Sequence, residues 1–229
     1  MQDRLKPFAA HLYLSTPFAG DSVPTLDAVL AAEIALASGE AFPDYPDELP
    51  LAYTEEGVPH ASQGFFLGEQ TVTEQQLFSS HSRNWDENKR SADRFVSWPA
   101  PTTDIGKGCG AGGKNVGYVV RTRAVELIEY RGVGEIELVR AILEGTPAVG
   151  QHRNKGMGAI EKVDVFGVDE DPETWALVQN GQPLRPIPVR SWKGGPAAIA
   201  MQRWRVPYWD TSVEPELCVV PSTQDLLSL

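Results

Sequence analysis

Residues 135–144 carry apolar side chains at helical spacing, with two glutamates in the first turn, Gly145 just past the end and Pro147 beyond it. Acidic groups suit a helix N-terminus, and glycine followed by proline stops a helix. From residue 159 to 168 the period changes to two, with Val163 and Val165 alternating against Lys162 and Asp164. A helix therefore hands over to a strand inside one short connection. That connection holds Gly150, Gly156 and Gly158 around His152, Arg153, Asn154 and Lys155. Glycine permits positive φ and close backbone approach. Free N–H groups beside Arg and Lys suit a phosphate or a nucleic-acid backbone. The same residues also read as a plain helix-to-strand turn with exposed basic side chains.

The first part of the chain repeats this alternation of periods. Residues 8–15 put Phe8, Ala10, Leu12 and Leu14 on one side of a strand. Residues 25–38 read as a helix capped by Thr25, with Asp27 in its first turn and Gly39 as its stop. Leu26, Val29, Leu30, Ile34 and Ala37 form its expected apolar face. Residues 40–60 are rich in proline and acid and read as a surface loop, and residues 62–69 read as a short strand. A stretch of weak periodicity, 71–117, follows and reads as an irregular insertion. Residues 118–130 read as one long β-branched strand, with Gly132 and Gly134 marking a turn. The order β-α-β-(insertion)-β-α-β predicts an α+β fold of ferredoxin-like (βαββαβ) type, an RRM-like core. We expect a core domain over 1–170 and an extended segment over 171–229 packed on it, with Asn180-Gly181 turning a hairpin.

The net charge of −11 speaks against nucleic acid until its distribution is considered. Residues 7–82 contain eleven Asp/Glu and no Lys or Arg, whereas residues 176–209 contain five basic residues and no acid. An acidic and a basic face follow from this asymmetry, the acidic one also suiting simple solvation. No run of eighteen apolar residues predicts a membrane span, and the N-terminal residues lack a secretory signal. Cys109 and Cys218 form no CxxC, and four scattered histidines add no metal spacing, so we expect no metal, no cofactor and a cytoplasmic setting.

Residues 108–114 match GxxxxGK, but Asn115 stands where a P-loop needs Ser or Thr, and neither a strand before nor a helix after completes the context. A basic glycine-rich loop carrying Lys107 and Lys114 fits better. Arg185, Arg190, Lys193, Arg203 and Arg205 are interleaved with Trp192, Trp204, Tyr208 and Trp209. Basic groups follow phosphates while aromatic faces stack on unpaired bases, and tryptophans equally anchor a tail to a core. His152 and His81 are the candidates for a general acid–base pair, a role that geometry decides.

A helix entering a loop of the form Gly-x-x-Arg-Asn-Lys-Gly-x-Gly, followed by a strand, resembles the RAMP superfamily of CRISPR-associated proteins. The matching residues are Gly150, Arg153, Asn154, Lys155, Gly156 and Gly158. Leu26-Asp27-Ala-Val-Leu30, Leu49-Pro50-Leu51, His60-Ala-Ser-Gln63 and Pro207-Tyr208-Trp209 are similar to the handle-binding backbone subunit of type IV CRISPR effector complexes. The resemblance implies a non-catalytic subunit that grips the 5′ handle of CRISPR RNA and caps a filament of other RAMP subunits beside a large subunit. The insertion at 71–117 would be its thumb-like extension. It implies RNA contact by His152, Arg153, Asn154, Lys155, Gly156 and Gly158, supported by Lys107, Lys114, Arg190, Lys193 and Arg203. A metal-independent CRISPR RNA-processing endoribonuclease and a protein-interaction module without RNA contact are the competing readings.

Overall fold

Alternation in residues 6–14 drives the fold, because it gives one strand two faces with different fates. The computed structural model describes residues 5–20, 22–38, 49–80, 115–206, 208 and 213–222. Its strands are β1 (Lys6–Leu14), β2 (Phe18–Ala19), β3 (Phe65–Leu67), β4 (Thr71–Ser80), β5 (Asn115–Ala124), β6 (Leu127–Gly134), β7 (Ile160–Gly167), β8 (Val178–Gln179), β9 (Gln182–Pro183), β10 (Ile187–Pro188), β11 (Ala198–Gln202) and β12 (Glu216–Val220). The α-helices among the described residues are α1 (Leu26–Ser38) and α2 (Ile136–Glu144). The chain is thus a mixed α/β protein dominated by strands. No helix among the described residues is long and apolar enough to cross a membrane.

Two compact units emerge: Met1–Val72 with Arg123–Leu229, and Thr73–Thr122. In the first, a four-stranded sheet runs in the order β3-β6-β1-β7. Strand β1 is central and antiparallel to both neighbours, Leu12 lying opposite Ile128 on β6 and Val163 on β7. Strand β3 adds antiparallel to β6. Phe8, Ala10 and Leu12 project to one side, where they join Ile128, Tyr130 and Val165. Leu26, Val29, Leu30 and Ala31 of α1 and Val139 and Leu143 of α2 close over them. Both helices therefore cover the same face. Burying a side chain such as Leu12 contributes about 1.5–3 kcal/mol relative to exposure.

Each helix forms for a local reason. Alanine and leucine favour α1 throughout, and Val29 N–H bonds Thr25 O in its first turn. Helix α2 ends at Gly145, where Thr146 Oγ1 donates to Ile142 O and Thr146 N–H to Leu143 O, satisfying carbonyls that the last turn leaves open. On the opposite face of the sheet, Arg131 lies between the rings of Phe65 (5.4 Å) and Trp175 (4.5 Å). Trp175 Nε1 donates to Phe8 O at 2.8 Å, fastening the C-terminal segment to β1. Beyond it, Asn180 (φ 50°) and Gly181 (φ 75°) turn the β8–β9 hairpin as their residue types predict. A small sheet, β10-β12-β11, follows over a second apolar cluster of Val58, Leu177, Ile187, Trp204, Cys218 and Val219.

Three expectations are corrected. The single strand over 118–130 is two strands, broken at Val125 and Glu126, where Leu14 N–H takes the Glu126 carbonyl at 3.0 Å. A run of β-branched residues does not mark where one ladder gives way to another. Second, residues 71–80 and 115–117, assigned to an irregular insertion, are strand; within the smaller unit Thr73 and Thr122 share a hydroxyl hydrogen bond of 2.9 Å. Third, Ala37 is exposed although it continues the apolar period of α1, because the burial ends a turn earlier. Gly39, the whole 81–114 segment with His81, Lys107, Lys114 and Cys109, and Trp209 lie outside the described residues.

Candidate nucleic-acid interface

The helix-to-strand connection after α2 is a rigid frame. Val149 N–H bonds Gly158 O (2.9 Å) and Ile160 N–H bonds Pro147 O (3.0 Å), so the two ends of the loop pair with each other. The loop is also tied to the chain just after β1. Gly158 N–H donates to Pro17 O, Gln151 N–H to Ala19 O, and Ala159 N–H to Thr16 Oγ1. At the tip, Arg153–Lys155 form one 3-10 turn, entered through His152 (φ 56°) and left through Gly156 (φ 80°). Met157 turns inward and is buried.

The glycines have structural reasons to be where they are. A Cβ on Gly158 (φ 63°) would stand 1.9 Å from Val149 O. One on Gly150 (φ 94°) would meet the Phe18 ring at 2.4 Å and Ala19 O at 2.8 Å. Gly156 has open space around it and is constrained by φ alone. The N–H groups of Gly156 and Gly158 bond Arg153 O and Pro17 O. These two glycines therefore shape the loop and do not offer free N–H donors to a ligand, which revises the role that the sequence suggests. Charge at this site comes from side chains.

Arg153, Asn154 and Lys155 are exposed at the tip. Arg153 is not fully free: its guanidinium lies 3.4 Å from Glu33 Oε1 of α1 and 3.5 Å from Ala148 O, with 42 % of its side chain accessible. Burial raises the Glu33 carboxyl above the usual range, and Arg153 works against that rise. The loop thus presents a part-neutralised Arg153 next to a solvated Lys155.

The other predicted contacts do not gather here. Arg190 pairs with Glu216 at 2.8 Å, and Arg203 Nε donates to Val213 O at 2.8 Å, so both are engaged within the C-terminal region. Lys193 is exposed and near enough to Glu56 to help lower that carboxyl, after the hydrogen bonds that Glu56 accepts. Trp204 is buried and Trp192 half-buried against the second cluster, so these two act as anchors. The hollow beside the end of β1 has Glu69 and Glu126 as its charged lining and is unsuited to phosphate.

Arg185 departs furthest from its sequence reading. Grouped by composition with exposed cations, it is completely buried. Its guanidinium donates to Asp27 (3.3 and 3.2 Å), Pro59 O (3.0 Å), Ala61 O (3.0 Å), Trp204 O (2.6 Å) and the Tyr208 hydroxyl (2.8 Å). Tyr208 in turn donates to Asp27 Oδ2 at 2.7 Å and accepts from Thr25 Oγ1 at 3.1 Å. Burial opposes the charge on Arg185, and the Asp27 carboxylate with the Tyr208 hydroxyl more than offsets it, so the guanidinium titrates above its usual range. Asp27, Pro59 to Ala61 and Tyr208, which stand far apart in the chain, thus converge on one cation. Their shared task is to hold α1, the segment before β3 and the C-terminal segment together. The sequence signal was available in Arg185 itself, a lone cation amid Pro183-Leu184 and Pro186-Ile187.

Comparison with curated protein sequences gives no match. The family model described as CRISPR type IV associated protein Csf3 matches residues 13–219, a span that takes in the buried network, the glycine loop and the C-terminal sheet. By that match the chain belongs to the Csf3 family of type IV CRISPR-associated proteins.

Proposed function

We propose that this chain is a non-catalytic RNA-binding subunit of a type IV CRISPR effector complex, gripping the 5′ handle of the guide RNA and capping a backbone of RAMP subunits. One observation carries the reading: an exposed Arg153-Asn154-Lys155 turn held on a frame fixed by the left-handed Gly150, Gly156 and Gly158. A phosphate chain needs such preset cations, since ordering a floppy loop on binding would cost affinity. The strand order β3-β6-β1-β7, with both helices over one face, supports a ferredoxin-like core of the RAMP kind. His152 sits at the entry of the turn, and Lys107, Lys114, Arg190, Lys193 and Arg203 are secondary contacts in this reading. The acidic first third faces protein or solvent, and the other subunits, including the large one, are its partners in the cytoplasm.

The test is RNA binding by the protein co-expressed with the genes beside its own. Arg153→Ala with Lys155→Ala should weaken binding and lower the salt slope by about 1.4, at ~0.7 per phosphate contact on a single strand. Unchanged affinity and slope remove the loop from the account. Cleavage of the RNA in EDTA, abolished by His152→Ala, would replace the binder with a nuclease. Complexes purified free of nucleic acid would favour an interaction module.

A further inference from the structure

Among the described residues, part of the second face of the four-stranded sheet stays uncovered, and that part is aromatic. His11 and Tyr13 of β1 and Lys162, Asp164 and Phe166 of β7 share it, since His11 lies opposite Asp164 and Tyr13 opposite Lys162 in the antiparallel register. His11 and Phe166 meet edge to face with centroids 5.0 Å apart, and His11 and Tyr13 at 6.4 Å. Lys162 Nζ lies 5.0 Å from the Tyr13 ring centroid. Phe166 is 43 % exposed, and it is the one exposed large apolar side chain on this face among the described residues. At the other end of the same face, Trp175 and Arg131 close over Phe65.

We propose that His11, Tyr13 and Phe166, with Lys162, form a platform on which unpaired bases of single-stranded RNA stack; the proposal rests on the RNA-binding reading above. Two arguments select this occupant. The first is chemical: an exposed ring can take a base on its face in any sequence. A protein interface of useful size needs a broader apolar centre than Phe166 and its half-buried neighbours supply. The second argument is continuity. Strand β7 begins two residues after Gly158, and Ser15 N–H bonds Ala159 O at 2.9 Å, so both ring-bearing strands run straight into the glycine-loop frame. The rings and the loop are therefore joined through the edge strand β7, the loop tip leaning on Glu33 of α1 on the helix side.

The charges on this face nearly cancel. Lys162 bonds Asp164 (2.5 Å), His11 Nε2 meets Glu129 Oε2 (3.1 Å), and Glu129 also pairs with Arg131 (2.9 Å). The platform therefore adds affinity through bases and little through phosphates, and its contribution is insensitive to salt. That separates it from the loop.

The experiment uses the full chain and two labelled probes of equal length, an unstructured RNA and its abasic ribose-phosphate counterpart. Wild type should prefer the base-bearing probe. Tyr13→Leu and Phe166→Leu should each lose roughly 5- to 150-fold of affinity for it, the range for one base–aromatic stack. Neither should change affinity for the abasic probe or the salt slope, and thermal melts should show the Phe166 variant folded as wild type. Equal binding of both probes by wild type, or unaltered RNA binding by both variants, overturns the platform while leaving the loop standing. Loss of subunit association with RNA binding intact would assign the face to a protein and also overturn it. Absence of any RNA binding by wild type overturns this proposal together with the function it rests on.

Discussion

Replacing Arg185 by methionine should destabilise the larger unit more than any surface change in the chain. Methionine fills most of the space but removes every donor. The Asp27 carboxylate, buried as completely as Arg185, loses its two bonds to the guanidinium, and the carbonyls of Pro59, Ala61 and Trp204 lose theirs. Leaving one partner of a buried ion pair uncompensated costs about 3–5 kcal/mol. At about 2–4 °C per kcal/mol for a chain of this size, the melting midpoint should fall by about 6–20 °C. Asp27→Asn in the same background should recover only part of that loss, because the carbonyls of Pro59, Ala61 and Trp204 stay without the guanidinium. Differential scanning calorimetry of wild type, R185M and D27N/R185M decides the matter. A midpoint within 2 °C of wild type for R185M, taking 2 °C as the lower bound of about 1 kcal/mol, would refute the view that this cation joins α1 to the C-terminal segment. So would full recovery in the double variant, which would reduce the site to a simple pair.

Three further outcomes follow from the geometry. Gly158→Ala should cost several times more than Gly156→Ala by urea denaturation, since a Cβ at 158 meets Val149 O at 1.9 Å whereas at 156 only the left-handed φ, about 1–2 kcal/mol, opposes it. Arg153→Ala should raise the Glu33 carboxyl pKa further in an NMR titration, because Arg153 is what lowers it against burial; an unchanged value would mean the 3.4 Å contact carries no interaction in solution. His60 is buried, and burial depresses its imidazole below the usual 6.5, with Glu173 and the Pro172 carbonyl opposing. Its neutral form is the folded one, so stability should be lost as pH falls below 6.5 towards the folded pKa, and His60→Asn should flatten that part of the pH–stability curve.

Most elements of the core were legible in the chain because they are written in local periodicity, the division between β5 and β6 being the exception. Phe8, Ala10 and Leu12 alternate, α2 carries its own stop in Gly145, and Asn180-Gly181 suits the left-handed backbone that a tight hairpin turn requires. The glycine loop was legible for the same reason: positive φ at 150, 156 and 158 is a demand on residue type, and only glycine meets it without strain. What a side chain meets across the fold is not local. Arg185 and Arg190 look alike in the sequence, yet one is sealed against Asp27 and the other sits in solvent against Glu216. The alternation of His11 and Tyr13 says that they share a face, but that Trp175 closes the other end of this face was decided by where the C-terminal segment packs. Composition sets which groups can be charged or apolar; the tertiary structure alone sets which of them lose water, and that loss separates a structural cation from one free to meet a ligand.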